Sequence, residues 1–326
     1  MDAEKFDEQL NESFNLGVDF DESEFHYYLE MIGENGSVGK EQALSLLGCG
    51  EFDGKEFSIN NTGVMFFARE PQRFVKQNYI TCVRYQGNSM VSIVDRKDLK
   101  GSLIELANEA EAFVRRHTKL AYKFQDFKRV NIEEYPYNAI REAIINAVCH
   151  RDYFLQNNIF VNIFDDKIEV ISPGTIPEGL SLNEVYGTSH PRNHRIVELF
   201  RKIEYIEKVG SGLKRMEELM LIHGLKKPVF TITHAYFKVT FFGPRNRILD
   251  LVKPTGEINL QEIGLNERQI KILNFLQKQG SVLRKQLEDH FGITKKTTTR
   301  DLNQLIDKGL VKKEGKAKNV RYELTK

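Results

Sequence analysis

Glu142-Ala-Ile-Ile-Asn146-Ala-Val-Cys-His150-Arg-Asp152-Tyr153 is the stretch on which the fold turns. Glu142, Asn146 and His150 recur at i, i+4 and i+8, which on an α-helix sets a carboxylate, a carboxamide and an imidazole along one stripe. Ile140, Ile144, Ala147 and Val148 spread over the other side and give that helix an apolar face to pack with. Tyr135-Pro136 marks its start, because proline is tolerated in a first turn. Such a stripe has two readings, plain solvent exposure and a site. The segments downstream of it favour the second.

Residues 158–164 and 168–171 are β-rich runs around the polar turn Asp165-Asp166-Lys167 and predict a hairpin. Ser172-Pro173-Gly174 then reverses the chain. Lys208-Val-Gly210-Ser211-Gly212 opens a helical run over 213–222. Glycines there let backbone approach a ligand, and free N–H groups at a helix start attract an anion. By itself the Gly210 to Gly212 turn reads equally well as a tight bend. Upstream, 58–67, 79–85 and 91–94 read as strands, and 22–32, 40–47 and 99–116 as helices. These elements predict an α/β (α+β) fold, a two-layer sandwich of a mixed sheet with helices on one face.

The order of helix, hairpin and glycine turn resembles the ATP-binding fold shared by gyrase B subunits, heat-shock chaperones, histidine kinases and mismatch-repair ATPases. The resemblance implies that Glu142 is the general base for water, Asn146 a magnesium ligand, and Gly210, Ser211 and Gly212 the phosphate turn. ATP and magnesium are the cofactors it implies. Where that fold carries Asp-x-Gly-x-Gly, this chain has Ser172-Pro173-Gly174-Thr175-Ile176, so the carboxylate that reads the adenine amino group and the second glycine are replaced. Ser172 and Gly174 stand at the nucleotide-facing positions. Arg192-Asn193 lies where those ATPases have a mobile lid, and its arginine reads either as a phosphate contact or as plain surface.

More narrowly, the chain resembles prokaryotic transcriptional regulators grouped as RecG-like, helicase-related proteins. These join a Schlafen/AlbA-type DNA-binding domain, a divergent ATPase-like domain and a winged helix. The matching segments are Asn61-Thr-Gly-Val-Met-Phe-Phe67, Pro71-Gln-Arg-Phe74, Arg141-Glu-Ala-Ile-Ile-Asn-Ala147, His150-Arg-Asp-Tyr153, Ile171-Ser-Pro-Gly174 and Gly210-Ser-Gly212. The Schlafen/AlbA-type domain is expected to be absent, the chain starting about where that domain would end.

Two labels are tested by the residues themselves. His150-Arg151-Asp152 followed by Asn157 fits a protein-kinase catalytic loop, but the upstream glycine loop and downstream Asp-Phe-Gly are missing in the required order. No Gly-x-x-x-x-Gly-Lys-[Ser/Thr] loop occurs, which argues against a helicase motor. For His150 and Arg151 the plain reading is that they satisfy carbonyls at the helix end.

The C-terminus carries a second signal. A helix is expected over 266–278, a second over 282–291, and a third after the Thr294 N-cap running to Lys308, with Gly309 closing it. Residues 310–313 and 319–324 read as the two strands of a wing. The order resembles winged-helix regulators of the MarR and DeoR kind. From Ser281 onward there are twelve Lys/Arg and six Asp/Glu, against fifteen acids and three bases in the first 56 residues. Lys295, Lys296, Thr298, Thr299 and Arg300 on the third helix, with Lys313, Lys316, Lys318 and Arg321 on the wing, are the candidate contacts to double-stranded DNA.

At 326 residues the chain fits two or three domains. The divisions expected are 1–57, an acidic and mainly helical segment; 58–243, the ATPase-like domain; 244–264, a linker; and 265–326, the winged helix. No apolar run approaches membrane-spanning length and the start is acidic and polar, which with three scattered cysteines suits a reducing cytoplasm. The functional expectation is a cytoplasmic, homodimeric transcriptional regulator whose degenerate ATPase-like domain senses a nucleotide or a partner. An active Mg-dependent ATPase and a winged-helix scaffold for protein binding stay open beside it.

Overall fold

The computed structural model describes residues 5–34, 38–125, 128–176, 184, 191–206, 212–251, 265–314 and 320–325. The chain divides into two compact units, Met1–Val252 and Lys253–Lys326.

The first unit is built on a six-stranded mixed sheet of order β4-β3-β7-β8-β10-β9. Its strands are β3 (Ile80–Gln86), β4 (Ser92–Leu99), β7 (Ile159–Ile163), β8 (Lys167–Pro173), β9 (Val229–Ile232) and β10 (Tyr236–Phe242). β3 and β7 run parallel, with Ile80 beside Ile159, and every other pairing is antiparallel. Two helices lie on one face, α4 (Leu103–His117) and α5 (Tyr137–His150). Ser102 starts α4 through a capping box with Glu105.

Alternation along the strands decides what each sheet face buries. Cys82, Val161, Val170 and Phe241 pack in one cluster with Leu106, Phe113, Ile140 and Ile144 of the helices. Val83, Tyr85 and Phe164 form a separate cluster on the opposite face. There Tyr85 and Phe164 stack with ring centres 5.0 Å apart.

The N-terminal residues belong to the helix-side core. Phe20, Phe25, Tyr28, Leu44 and Leu47 join the same cluster as α5. They come from α1 (Glu22–Met31), α2 (Lys40–Leu46) and the residues flanking them, and a hairpin of β1 (Gly50–Asp53) and β2 (Glu56–Ile59) comes next. The strand expected over 58–67 is instead the end of β2 and a helix, α3 (Asn61–Phe67). Asn60 caps it by accepting a hydrogen bond from the Gly63 N–H at 3.0 Å. All seven residues of α3 are buried, which leaves no polar face for a helical period to reveal. A second hairpin, β5 (Leu120–Gln125) and β6 (Lys128–Glu133), was not expected from the sequence. Two further helices are described in the unit, α6 (His194–Lys202) and α7 (Gly212–Ile222).

The second unit contains α8 (Glu267–Gln279), β11 (Ser281–Leu283), α9 (Arg284–Phe291), α10 (Lys295–Asp307), β12 (Val311–Glu314) and β13 (Arg321–Leu324). The sheet has three strands, ordered β11-β13-β12. The start of the expected second helix is therefore strand: Val282 pairs with Tyr322 and α9 begins at Arg284. Ile272, Leu276, Leu287, Leu302, Leu305 and Val311 are among the buried apolar residues of this unit.

Candidate functional site

Along α5 the polar stripe grades from buried to open. Glu142 is buried, Asn146 half-buried and His150 exposed. The Asn146 amide donates to Glu142 Oε1 at 3.3 Å. This turns the amide oxygen of Asn146 away from the carboxylate.

Gly212, at the start of α7, comes against this pair. A Cβ at position 212 would stand 2.6 Å from Glu142 Oε1 and 2.7 Å from Asn146 Nδ2, well inside contact distance. Glycine is thus the residue that lets α7 begin here. The structure brings Glu142, Asn146 and Gly212 together from positions seventy residues apart. Gly210 and Ser211 lie outside the described residues.

The next wall is the end of β8. Ser172 is buried and its hydroxyl donates to the Ala147 carbonyl at 3.0 Å, tying the strand to α5 one residue beyond Asn146. Gly174 has φ +99°, and a Cβ there would meet Asp152 Cβ at 2.8 Å. Asp152 N–H donates to the Pro173 carbonyl at 2.9 Å, so the chain leaving α5 is stitched to the chain leaving β8.

The His-Arg-Asp-Tyr segment divides its labour. Arg151 is almost wholly buried; its guanidinium donates to the carbonyls of Asn157 at 2.6 Å and Leu155 at 3.3 Å, and lies over the Tyr153 ring. Tyr153 donates its hydroxyl proton to the Val148 carbonyl at 3.1 Å. These contacts hold the loop after α5. His150 lies open to solvent at the end of α5. Desolvation and the nearby Arg192 charge push its pKa down to about 4, so the ring is neutral at physiological pH.

Arg192 bridges the two chain reversals. One nitrogen pairs with Asp152 at 3.2 Å and the other donates to the Thr175 carbonyl at 3.0 Å. The adjacent Asn193 donates to the carbonyls of Cys149 and Arg151 at 2.9 and 2.8 Å, closing the end of α5. Asn193 therefore does not cap its own helix. That task falls to Asp7, whose carboxylate accepts from Arg195 N–H at 2.8 Å. The same N-terminal segment stacks Phe6 on Tyr153, ring centres 5.4 Å apart.

In the second unit, Thr294 caps α10 by accepting from Thr297 N–H at 3.3 Å. Lys295, Lys296 and Arg300 are exposed and Thr299 is half-exposed. Thr298 departs from expectation: it is fully buried, and its hydroxyl donates to the Thr294 carbonyl at 3.0 Å. The helical phase explains this, because Thr298 precedes buried Leu302 by four residues. Asn303 and Gln304, not among the expected contacts, share the exposed surface with Lys295, Lys296, Thr299 and Arg300.

Of the two acids on α10, Asp307 is exposed and Asp301 faces inward. Asp301 is fully buried and accepts two hydrogen bonds from Arg268 of α8, one of them at 3.1 Å. Gln269, also on α8, donates to Gln304 Oε1 at 2.6 Å. On the wing strands Lys313 and Arg321 are exposed, while Lys312 pairs with both Glu314 and Glu323. Lys316 and Lys318 lie outside the described residues.

Comparison with known proteins finds two families along the chain. Residues 156–241 match the family described as "Putative ATP-dependent DNA helicase recG C-terminal", and residues 263–319 match the MarR family. The chain thus carries a RecG C-terminal, ATPase-like domain and a MarR-type winged helix. Among solved structures it is similar to the DIP2311 protein from Corynebacterium diphtheriae, at 18% identity and a TM-score of 0.63. That match covers 99% of this chain but 64% of the other, so this chain spans about two-thirds of the length of that structure. No curated protein matches the chain. Among the described residues no helix is long and apolar enough to cross a membrane.

Proposed function

We propose that this protein is a DNA-binding transcriptional regulator whose ATPase-like domain senses a nucleotide or a partner. The observation that carries the reading is the outer surface of α10. It presents Lys295, Lys296 and Arg300 to solvent, while its buried acid, Asp301, is neutralised by Arg268. Exposed cations with short polar side chains between them suit a duplex, since cations neutralise phosphates and polar groups reach base edges. Lys313 and Arg321 add charge on the wing. A homodimer, presenting two such helices to a palindromic operator in the cytoplasm, completes the proposal.

The test is retardation of duplex DNA from upstream of the protein's own gene, measured across salt concentration. Wild type is expected to bind with a steep salt dependence. Replacing both Lys295 and Lys296 by alanine is expected to reduce the slope by about 2, near 0.9 for each phosphate left without its cation. Absence of retardation by wild type at low salt counts against the reading.

A second reading, an active Mg-dependent ATPase, is favoured by the meeting of Glu142, Asn146 and Gly212. The residues fit the group in part. The Asn146 amide oxygen is turned away from Glu142 and suits a magnesium shell as a neutral ligand, and the start of α7 at Gly212 lies close against both side chains. Ser172 stands where the ATP-binding fold has a carboxylate, and its hydroxyl is held by the Ala147 carbonyl. Bound Mg-ATP supplies a phosphoanhydride; Glu142 is the residue positioned to orient water toward it. Phosphate release by purified protein, abolished in Glu142→Ala, is the result this reading requires.

A further inference from the structure

Four side chains on α10 form one stripe: Lys296, Thr299, Arg300 and Asn303, at i, i+3, i+4 and i+7. Their states differ. Thr299 donates its hydroxyl to the Lys295 carbonyl at 2.8 Å, which leaves the methyl as the group it offers to a partner. Arg300 approaches Asp301 no closer than 3.9 Å, and that carboxylate is already held by Arg268. Asn303 is exposed, and its amide makes no hydrogen bond among the described residues. Gln304, one residue on, carries the same amide chemistry but is anchored through its oxygen to Gln269.

Base edges in the major groove ask for these groups. A carboxamide reads adenine by accepting from N6–H and donating to N7, and needs both its oxygen and its nitrogen. A guanidinium reads guanine O6 and N7, and a threonine methyl packs on the thymine methyl. Arg300 and Asn303 are about 4.5 Å apart along the helix axis at a rise of about 1.5 Å per residue. Successive base pairs are separated by about 3.4 Å, so the two side chains address neighbouring pairs.

We propose that Asn303 reads an adenine and Arg300 a neighbouring guanine, with the Thr299 methyl against a thymine, while Gln304 and Asp301 are withheld from the DNA by Gln269 and Arg268. This rests on the DNA-binding reading above and adds the bases read. Lys295 and Lys296, nearest the helix start, contact phosphates in this arrangement and carry no sequence preference.

The experiment is selection from a randomised duplex library by the full chain, as wild type, Asn303→Ala and Gln304→Ala, with folding of each checked by thermal unfolding. Wild type is expected to select a half-site in which adenine and guanine are fixed at neighbouring positions. Asn303→Ala is expected to lose the adenine and to bind the wild-type site about tenfold to a hundredfold more weakly, with unchanged binding to random DNA. Gln304→Ala is expected to select the wild-type site. Retention of the adenine by Asn303→Ala, or its loss in Gln304→Ala, overturns the assignment while leaving DNA binding intact. Wild type that binds no duplex overturns both.

Discussion

The Asp7 carboxylate closes the N-terminus of a helix that begins 187 residues later, accepting the Arg195 N–H at 2.8 Å. The residue before that helix, Asn193, is a natural cap but is spent on the Cys149 and Arg151 carbonyls at the end of α5. One helix end is thus served by a distant carboxylate because its own cap serves another.

Removing that carboxylate exposes the arrangement. Asp7→Ala is expected to cost about 1–2 kcal/mol, the range for a missing N-cap, read as a lower denaturant midpoint. Burial holds the Asp7 carboxyl above its ordinary 3.8. Just above 3.8, folded protein therefore keeps a proton that the unfolded chain has released. The stability from this group falls as pH rises through that interval. Asp7→Asn is expected to flatten that part of the profile, and an unchanged profile would refute it.

His150 works in the opposite direction. Its folded pKa of about 4 lies below the ordinary 6.5, so between those values the unfolded chain binds a proton that the folded protein does not. Its contribution is complete above pH 6.5 and is lost as pH falls toward 4. Urea midpoints at about pH 7.5, 6 and 5 are expected to drop less in His150→Gln than in wild type.

Gly212→Ala drives a methyl group into Glu142 and Asn146. Both struck atoms are side-chain ends that can swing aside, so the cost in stability is modest, about 1 kcal/mol. The proposed nucleotide site suffers more. Wild type is expected to gain melting temperature with Mg-ATP, whereas Gly212→Ala and Asn146→Ala are expected to gain none. Equal shifts in all three proteins would detach these residues from nucleotide binding.

Arg268→Ala leaves the buried Asp301 carboxylate with Arg300, 3.9 Å away, as its remaining cation among the described residues. A fully enclosed pair costs about 3–5 kcal/mol to break this way, and the partial exposure of Arg268 brings the expectation to about 2–3 kcal/mol. Asp301→Asn in the same background is expected to recover most of it. Equilibrium unfolding of the four proteins in the double-mutant cycle measures the coupling.

What the sequence disclosed was local. The Glu142–Asn146–His150 stripe, the hairpin after it and the Thr294 cap all come from spacing within a few residues, and each is where the spacing put it. The α3 segment failed because Thr62, Val64, Met65, Phe66 and Phe67 are all buried, and a run buried on every side has no period. The Asn60 cap was the signal that distinguished it. Thr298 was drawn outward by its polar side chain, although the Leu302 and Leu305 phase places it inside. Asp7, Asn193 and the choice between Asn303 and Gln304 depend on partners up to 188 residues away, which no local pattern carries.

Phe6 stacks on Tyr153 while Asp7 holds the start of α6, so two adjacent residues touch both the loop after α5 and the helix that follows it. A load applied at Lys5 is delivered at once to the loop leaving the Glu142 helix and to the helix beyond it. For this protein an N-terminal tag or surface tether pulls on both, and a neutral handle belongs elsewhere.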